Sequence, residues 1–265
     1  MILASARTGS NFLSSQLSRH PSIKVYGELF NLDALPRRSL LEALDDPVKY
    51  LRNRLYKAHP GGIAAVGFKM FYDHLTKDYF QKPVNPAEAS EELQARFREF
   101  ASFIDANYDW STLDARFRDA WDFLVADQNL MVIHLRRRNV LNTLVSLKTA
   151  FATAQWWTTS GGGQATTTLH LDPEECRRYF DKMDTFAERA DALFGKHRKL
   201  EVVYEDMVEA RKETLEGVLS FLNVEPQPLS TNMQKQIVAP ASEIVANYGQ
   251  LKDCFRHTRW HAFFE

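Results

Sequence analysis

The chain has 265 residues, of which 45% are hydrophobic and 25% charged, so it is long enough to bury a large core and has a globular composition. Its formal net charge of −1 excludes the strongly basic field of proteins that bind nucleic acid or membrane surfaces. Any anion-binding site must therefore be local, and we expect neither nucleic acid nor a membrane among the partners.

Features that the sequence lacks bear on the cellular location of the protein and on bound metal. Its two cysteines, Cys176 and Cys254, cannot form a disulfide framework, and no cysteine or histidine spacing resembles a zinc site. No apolar run reaches 18 residues, and the N-terminus lacks the charged start of a signal peptide. We therefore expect a cytoplasmic protein with no membrane span and no bound metal. Whether an N-terminal anchor precedes a chain that starts on its first strand is left open.

The stretch Met1–Leu13 predicts a phosphate-binding turn. Met1–Ala4 is a short apolar strand, residues 5–10 are small and polar, and Asn11–Arg19 has the apolar spacing of a helix. In such a strand–turn–helix unit, backbone N–H groups and the helix N-terminus converge on an anion. Arg7 adds a fixed charge to this turn. The side chains that can add hydrogen-bond donors are Thr8, Ser10 and Asn11.

The turn does not follow the Walker pattern, because no glycine precedes it and no lysine follows Gly9. Many α/β proteins join their first strand and helix through small residues. From this stretch alone, an ordinary connection is the alternative.

Strands and helices alternate along the rest of the chain. Further strands are predicted at residues 23–26, 64–70, 130–135 and 200–204. Capping signals start helices after Asn85 and Asp172, and Gly195 ends the second of these. The order predicts an α/β fold with a central parallel β-sheet flanked by helices. We predict a single domain over residues 1–265, from which residues 150–172 could separate as a small lobe.

Charged residues follow several of these strands. Glu28 follows the second strand, Lys69 lies near the end of the third, and Arg136–Arg138 follow the fourth. Ligands of parallel sheets bind at the C-terminal strand ends, so we expect these residues to converge with the turn. The plainer alternatives are a solvated turn carboxylate for Glu28 and a surface lysine for Lys69.

Other polar residues have less specific patterns. Arg138 and Ser146 lie eight residues apart, which allows a strand-tip arginine and a helix serine to hold one phosphate; the alternative is a basic strand end beside an exposed serine. His74 and His134 are candidate bases, but His134 lies inside an apolar strand and is expected to be a core histidine.

Together these motifs resemble the sulfotransferase family. Residues 7–11 (Arg-Thr-Gly-Ser-Asn) are similar to its (Lys/Arg)-(Ser/Thr)-Gly-(Ser/Thr)-(Thr/Asn) loop, and Arg138 with Ser146 matches its Arg…Ser pair. Glu28, the Gln155–Trp156 pair and the run 204–206 look like the bacterial carbohydrate and nodulation-factor members. The resemblance covers most of the chain, is weakest over residues 32–62 and 85–125, and implies a P-loop-like sulfotransferase fold.

The resemblance implies transfer of a sulfuryl group from 3′-phosphoadenosine 5′-phosphosulfate (PAPS) to a hydroxyl of a carbohydrate or glycoconjugate, without a metal. The product of the donor is 3′-phosphoadenosine 5′-phosphate (PAP). Glu28 is the expected base, with Arg7 and Lys69 supplying positive charge. The implied nucleotide contacts are Arg7, Thr8, Gly9, Ser10, Asn11, Arg138 and Ser146, and the implied acceptor contacts are Gln155 and Trp156.

Two departures from the family pattern stand out. Most cytosolic steroid and phenol sulfotransferases have lysine in place of Arg7. They also carry an Arg-Lys-Gly segment near the C-terminus that closes over the nucleotide, which this chain lacks. Lys235 is the candidate replacement for that contact.

Two other functional classes stay open as alternatives. A P-loop nucleotide kinase or NTPase is disfavoured by the missing Walker lysine and by a central strand that ends in arginines, which leaves Mg²⁺ without an evident ligand. A non-catalytic nucleotide-binding protein would keep the fold but not the turnover. The sequence determines neither the acceptor nor the oligomeric state.

Overall fold

The computed structural model describes residues 1–80, 88–156, 167–229 and 239–265. These residues belong to two compact units. The first unit comprises residues 1–80, 96–136 and 190–229, and the second comprises residues 88–95, 137–189 and 239–265.

A five-stranded parallel sheet forms the centre of the first unit. Its strands are β1 (Ile2–Ala4), β2 (Ile23–Glu28), β3 (Ala65–Phe71), β4 (Val132–Arg136) and β5 (Lys199–Val203). The spatial order is β2-β3-β1-β4-β5, and every neighbouring pair is parallel. All five predicted strands and the predicted α/β class are confirmed.

Helices connect and cover the strands. In chain order they are α1 (Ser10–Leu17), α2 (Arg37–Asp45), α3 (Pro47–Leu55), α4 (Glu91–Asn107), α5 (Trp110–Ala126), α6 (Val140–Thr153), α7 (Pro173–Phe194), α8 (Tyr204–Glu209), α9 (Arg211–Phe221), α10 (Ala241–Ile244) and α11 (Tyr248–Phe255). Within the described ranges, no helix has the length and apolar character needed to cross a bilayer.

The apolar core between α1 and the sheet is built from alternate side chains of the strands. Side chains at alternate positions of a strand point to the same face. Ile133 and Leu135 of β4 and Val202 of β5 lie in one buried cluster with Leu13 and Leu17 of α1. Because α1 is held on this face, the short turn between β1 and α1 is fixed at the C-terminal edge of the sheet.

The predicted helix starts have different outcomes. Asp172 caps α7 as expected, since its Oδ2 accepts the Glu175 N–H at 2.9 Å, and α7 ends at Phe194, immediately before Gly195. Asn85 lies outside the described residues. The described part of α4 begins at Glu91, later than the sequence signal predicts.

Candidate active site

The turn that follows β1 has a backbone suited to an anion. Arg7 has φ 67° and Gly9 has φ 86°, so two left-handed residues flank Thr8. Such turns direct backbone N–H groups into a concave site. The Thr8 hydroxyl donates to the Ser5 carbonyl at 2.8 Å, which closes the turn, and both Thr8 and Ser10 are buried. The N-cap residue of α1 is Gly9, which has no side chain to cap the first turn, so the N–H groups there can receive an anion.

Tyr204 fixes the middle of this turn. A Cβ placed on Gly9 would lie 2.5 Å from Tyr204 Cδ2 and 3.0 Å from Met207 Cε. The ring of Tyr204, at the start of α8, therefore covers the glycine backbone directly. Position 9 requires glycine for two reasons, its positive φ and this close approach.

A bulge at the end of β2 places Glu28. Val25 pairs with Gly67 and Glu28 pairs with Lys69, so three steps along β2 match two steps along β3. Gly27, with φ 65°, occupies the irregular position. Bulges of this kind change the direction of the side chain that follows them. Here the extra residue aligns the Glu28 carboxylate with Lys69.

Lys69 connects the candidate base with the turn. Its ammonium donates to Glu28 Oε1 at 2.7 Å and also to Asn11 Oδ1 in the first turn of α1. The Lys69 side chain is only 4% exposed, and that of Glu28 is 19% exposed. Because both side chains are largely buried, dissolved salt screens the attraction between Lys69 and Glu28 only weakly. The structure therefore brings together three residues that the sequence placed in separate motifs.

Arg138 and Ser146 belong to the second unit. Arg138 is exposed just after β4, and the side chain of Asn139 caps α6 by accepting the Asn142 N–H at 3.0 Å. Ser146 is buried on α6, about 9 Å along the helix axis from its first residue. Their assignment to a 3′-phosphate stays a prediction.

Buried Lys148 anchors the helix that carries Ser146. It lies within 2.6 Å of Glu175 Oε2 and 2.7 Å of Glu88 Oε2. Burial disfavours its charge, but the hydrogen bonds to Glu175 and Glu88 outweigh that effect and raise the pKa of Lys148. Lys148 is therefore charged, and its ion pairs with Glu175 and Glu88 help to hold α6 in place.

The predicted acceptor residues follow α6. Ala154 has φ 55° and ends the helix, Gln155 is exposed, and the Trp156 ring meets Phe151 edge-on at 5.2 Å between centroids. Lys235 lies outside the described residues, so its nucleotide contact stays a prediction.

The two candidate histidines have polar partners of their own. His74 is buried and its Nδ1 accepts the Phe71 N–H at 3.2 Å. His134 is a core histidine, as expected, with its Nε2 2.6 Å from the Tyr72 hydroxyl. Burial lowers the pKa of His134, against the opposing effect of nearby Glu201 and Asp191.

Sequence reasoning missed the surroundings of His134. Glu201 pairs with it in the β4–β5 register, and Asp191 reaches it from α7. Aligning the two predicted strands would have revealed the Glu201 contact. Nothing local to the sequence indicates the contact with Asp191.

Comparisons with known proteins agree with the motifs. The model of the sulfotransferase family matches residues 1–228. Nodulation protein H of Rhizobium tropici is 26% identical over 269 residues, covering 100% of this chain and 92% of that protein. Nodulation protein H of Rhizobium meliloti (strain 1021) is 24% identical over 273 residues, covering 100% of this chain and 94% of that protein.

A solved structure is also similar. The crystal structure of a sulfotransferase from Alicyclobacillus acidocaldarius has a TM-score of 0.44 and 14% identity, covering 99% of this chain and 94% of that one. The assignment depends on the family match, which spans most of the sequence. The chain belongs to the sulfotransferase family.

Proposed function

We propose that the protein transfers a sulfuryl group from PAPS to a hydroxyl of a carbohydrate or glycoconjugate. The observation that carries this proposal is the position of Lys69, whose ammonium contacts both Glu28 and Asn11. It connects a carboxylate able to accept a proton with a turn suited to a phosphosulfate. The carbohydrate class of the acceptor is supported by sequence resemblance alone.

The proposed reaction needs one proton transfer and one displacement. Glu28 takes the proton of the acceptor hydroxyl while the acceptor oxygen forms a bond to sulfur. The bond between sulfur and the phosphate oxygen breaks, and its electron pair leaves on the 5′-phosphate of PAP. Arg7 and Lys69 stabilise the negative charge that develops on the departing phosphate.

The described residues support binding of the 5′ end of the donor. The left-handed backbone at Arg7 and Gly9 and the glycine-capped start of α1 offer N–H groups to a phosphosulfate. We assign the 3′-phosphate to Arg138, Ser146 and Lys235, and the acceptor to Gln155 and Trp156. These assignments extend the family motifs.

Ligand-induced thermal stabilisation tests the choice of donor. PAP, ATP and ADP are each added at equal concentration to the full chain, and the shift in melting temperature is measured. A ligand that binds only the folded state raises apparent stability. We expect PAP to give the largest shift. A preference for ATP, or no response to PAP, would contradict the proposal.

A variant of Arg138 tests the 3′-phosphate assignment separately. Arg138→Gln should weaken PAP binding and leave the weaker binding of adenosine 5′-phosphosulfate, which lacks the 3′-phosphate, unchanged. Exposed Arg19→Gln is the matched control. Equal losses for both nucleotides would show that Arg138 does not recognise the 3′-phosphate.

Turnover tests the acceptor class. Sulfate transfer from isotopically labelled PAPS is measured with neutral oligosaccharides, phenols and steroids as acceptors. Oligosaccharides are expected to be labelled most efficiently. Labelling of phenols or steroids alone would keep the sulfotransferase assignment and reject the carbohydrate acceptor.

A further inference from the structure

We propose that His134, Asp191 and Glu201 form a binding site for a divalent transition-metal cation, with Zn²⁺ as its representative. The three residues belong to the first unit. They lie on the face of the sheet away from α1, because His134 alternates along β4 with Ile133 and Leu135, which pack in the α1 core. The site is therefore distinct from the residues assigned to sulfuryl transfer.

The spacing of the three ligand atoms suits a tetrahedral ion. His134 Nδ1 lies 3.3 Å from Asp191 Oδ1 and 3.3 Å from Glu201 Oε1. All three atoms lie within 4.8 Å of one another. Zinc bonds to nitrogen and oxygen of about 2.0–2.2 Å place neighbouring ligands of a tetrahedron about 3.3–3.5 Å apart. Histidine nitrogen and carboxylate oxygen are both ordinary ligands of Zn²⁺.

His134 supplies evidence that is independent of the two acids. Its side chain is 0% exposed, and Nδ1 makes no hydrogen bond of acceptable geometry within the described residues. The other ring nitrogen, Nε2, lies 2.6 Å from the Tyr72 hydroxyl. A partner on the second nitrogen fixes the orientation of the ring, as it does in many histidine metal sites. With the ring held in this way, Nδ1 lies 3.3 Å from one carboxylate oxygen of each acid.

The backbone holds all three ligands in regular elements. His134 and Glu201 are direct partners in the β4–β5 register. Asp191 lies in the last turn of α7, where the helix dipole disfavours an acid and favours a cation. A bound Zn²⁺ would therefore join a helix end to two neighbouring strands.

Lys199 is the cation that now neutralises these acids. Its Nζ lies 2.5 Å from Asp191 Oδ1 and 3.4 Å from Glu201 Oε1. Its side chain is 22% exposed, so its ammonium can turn into water while its stem stays in place. Arg136 also lies 3.7 Å from the second Glu201 oxygen. Binding of Zn²⁺ therefore requires the Lys199 ammonium to move away from the two acids. Lys199 and Zn²⁺ thus compete for the same carboxylates.

Metal titration of the tag-free, chelator-treated full chain tests the site. Zn²⁺ binding is measured by isothermal titration, and Co²⁺ absorption reports tetrahedral coordination. We expect one site in the wild type. Asp191→Asn and Glu201→Gln should each weaken binding by at least about tenfold, because even outer-shell changes cost about 10- to 100-fold. Lys199→Met should tighten Zn²⁺ binding by roughly fivefold, because a partly exposed ion pair of modest strength no longer competes with the metal.

Matched variants control for general effects on charge and folding. Glu188→Gln removes an exposed acid from α7, and Lys196→Met removes an exposed lysine before β5; both should leave Zn²⁺ affinity unchanged. The gain expected for Lys199→Met cannot arise from misfolding. Absence of a Zn²⁺ site, wild-type affinity in Asp191→Asn and Glu201→Gln, or no gain in Lys199→Met would each overturn the proposal. PAP binding is measured in parallel, so failure of this site stays separate from failure of the proposed function.

Discussion

Two lysines of the same sheet meet carboxylates in different ways. The Lys69 side chain is 4% exposed and contacts Glu28 and Asn11 on the α1 side, whereas the Lys199 side chain is 22% exposed and contacts Asp191 and Glu201 on the other side. A lysine without access to water cannot release its partners without leaving them unpaired. Lys69 therefore holds its neighbours in position, whereas Lys199 is exposed enough to be displaced.

The largest effect is expected for a change at Glu28, the proposed base that Lys69 contacts. Glu28→Gln keeps the shape of the side chain but removes its ability to take a proton, so we expect kcat to fall by about 10²- to 10⁴-fold. Initial rates with PAPS are measured beside thermal stabilisation by PAP, which should be unchanged. Glu209→Gln, an exposed acid of α8, is the control. Normal turnover in Glu28→Gln with normal PAP binding would show that Glu28 is not the base.

The two lysines should differ in their contribution to stability. Lys69→Met leaves the Glu28 carboxylate without its buried partner, and we expect the free energy of unfolding to fall by about 3 kcal/mol. Lys199→Met breaks half-exposed pairs and should cost less than about 1 kcal/mol. Denaturant titration measures both values. The double variant Glu28→Gln/Lys69→Met should recover part of the loss, because no buried charge then stays unpaired. Equal losses for the two lysines would show that burial does not distinguish the ion pairs of Lys69 from those of Lys199.

The turn beside Lys69 should tolerate little change at Gly9. Gly9→Ala places a Cβ at a φ of 86° and 2.5 Å from the Tyr204 ring, so we expect a loss of about 2 kcal/mol in stability. PAP binding should weaken as well, because the backbone that holds the phosphosulfate moves. Gly61→Ala is the control, since a Cβ there meets nothing within 4 Å. Similar melting temperatures for the two variants would show that the turn relaxes freely.

A smaller effect than that of Gly9→Ala is expected at Asn11. Among the described residues the Lys69 ammonium has two acceptors, and Asn11→Ala removes one of them while Glu28 stays in place. We expect the free energy of unfolding to fall by about 1 kcal/mol, the net value of one hydrogen bond. Asn53→Ala, at an exposed position of α3, is the control in the same denaturant titration. A loss as large as that of Lys69→Met would mean that Asn11, and not Glu28, dominates the placement of the lysine.

Much of the fold could be predicted because its signals are local. Apolar runs such as residues 130–135 identify buried strands, and the small residues at 5–10 identify a tight turn. The cap at Asp172 and the stop at Gly195 are likewise properties of a few neighbouring residues. The capping signal at Asn85 predicts an earlier start for α4 than Glu91, the first residue of the described helix.

The candidate site was predicted in its residues but not in its contacts. Arg7, Asn11, Glu28 and Lys69 each belong to a recognisable motif, so their side chains could be chosen from the sequence. The bulge at Gly27, which decides that Glu28 meets Lys69, depends on pairing with a strand about 40 residues away. No local propensity reports such a register.

The strand positions, the turn that can receive an anion and the family resemblance all follow from the residues in the sequence. The contact of Tyr204 with Gly9, and of Lys69 with Glu28 and Asn11, comes instead from packing in the folded chain. The same packing makes His134 face two acids. The physical reason is that backbone periodicity and turn preferences act over a few residues, whereas these contacts depend on packing between elements far apart in the chain.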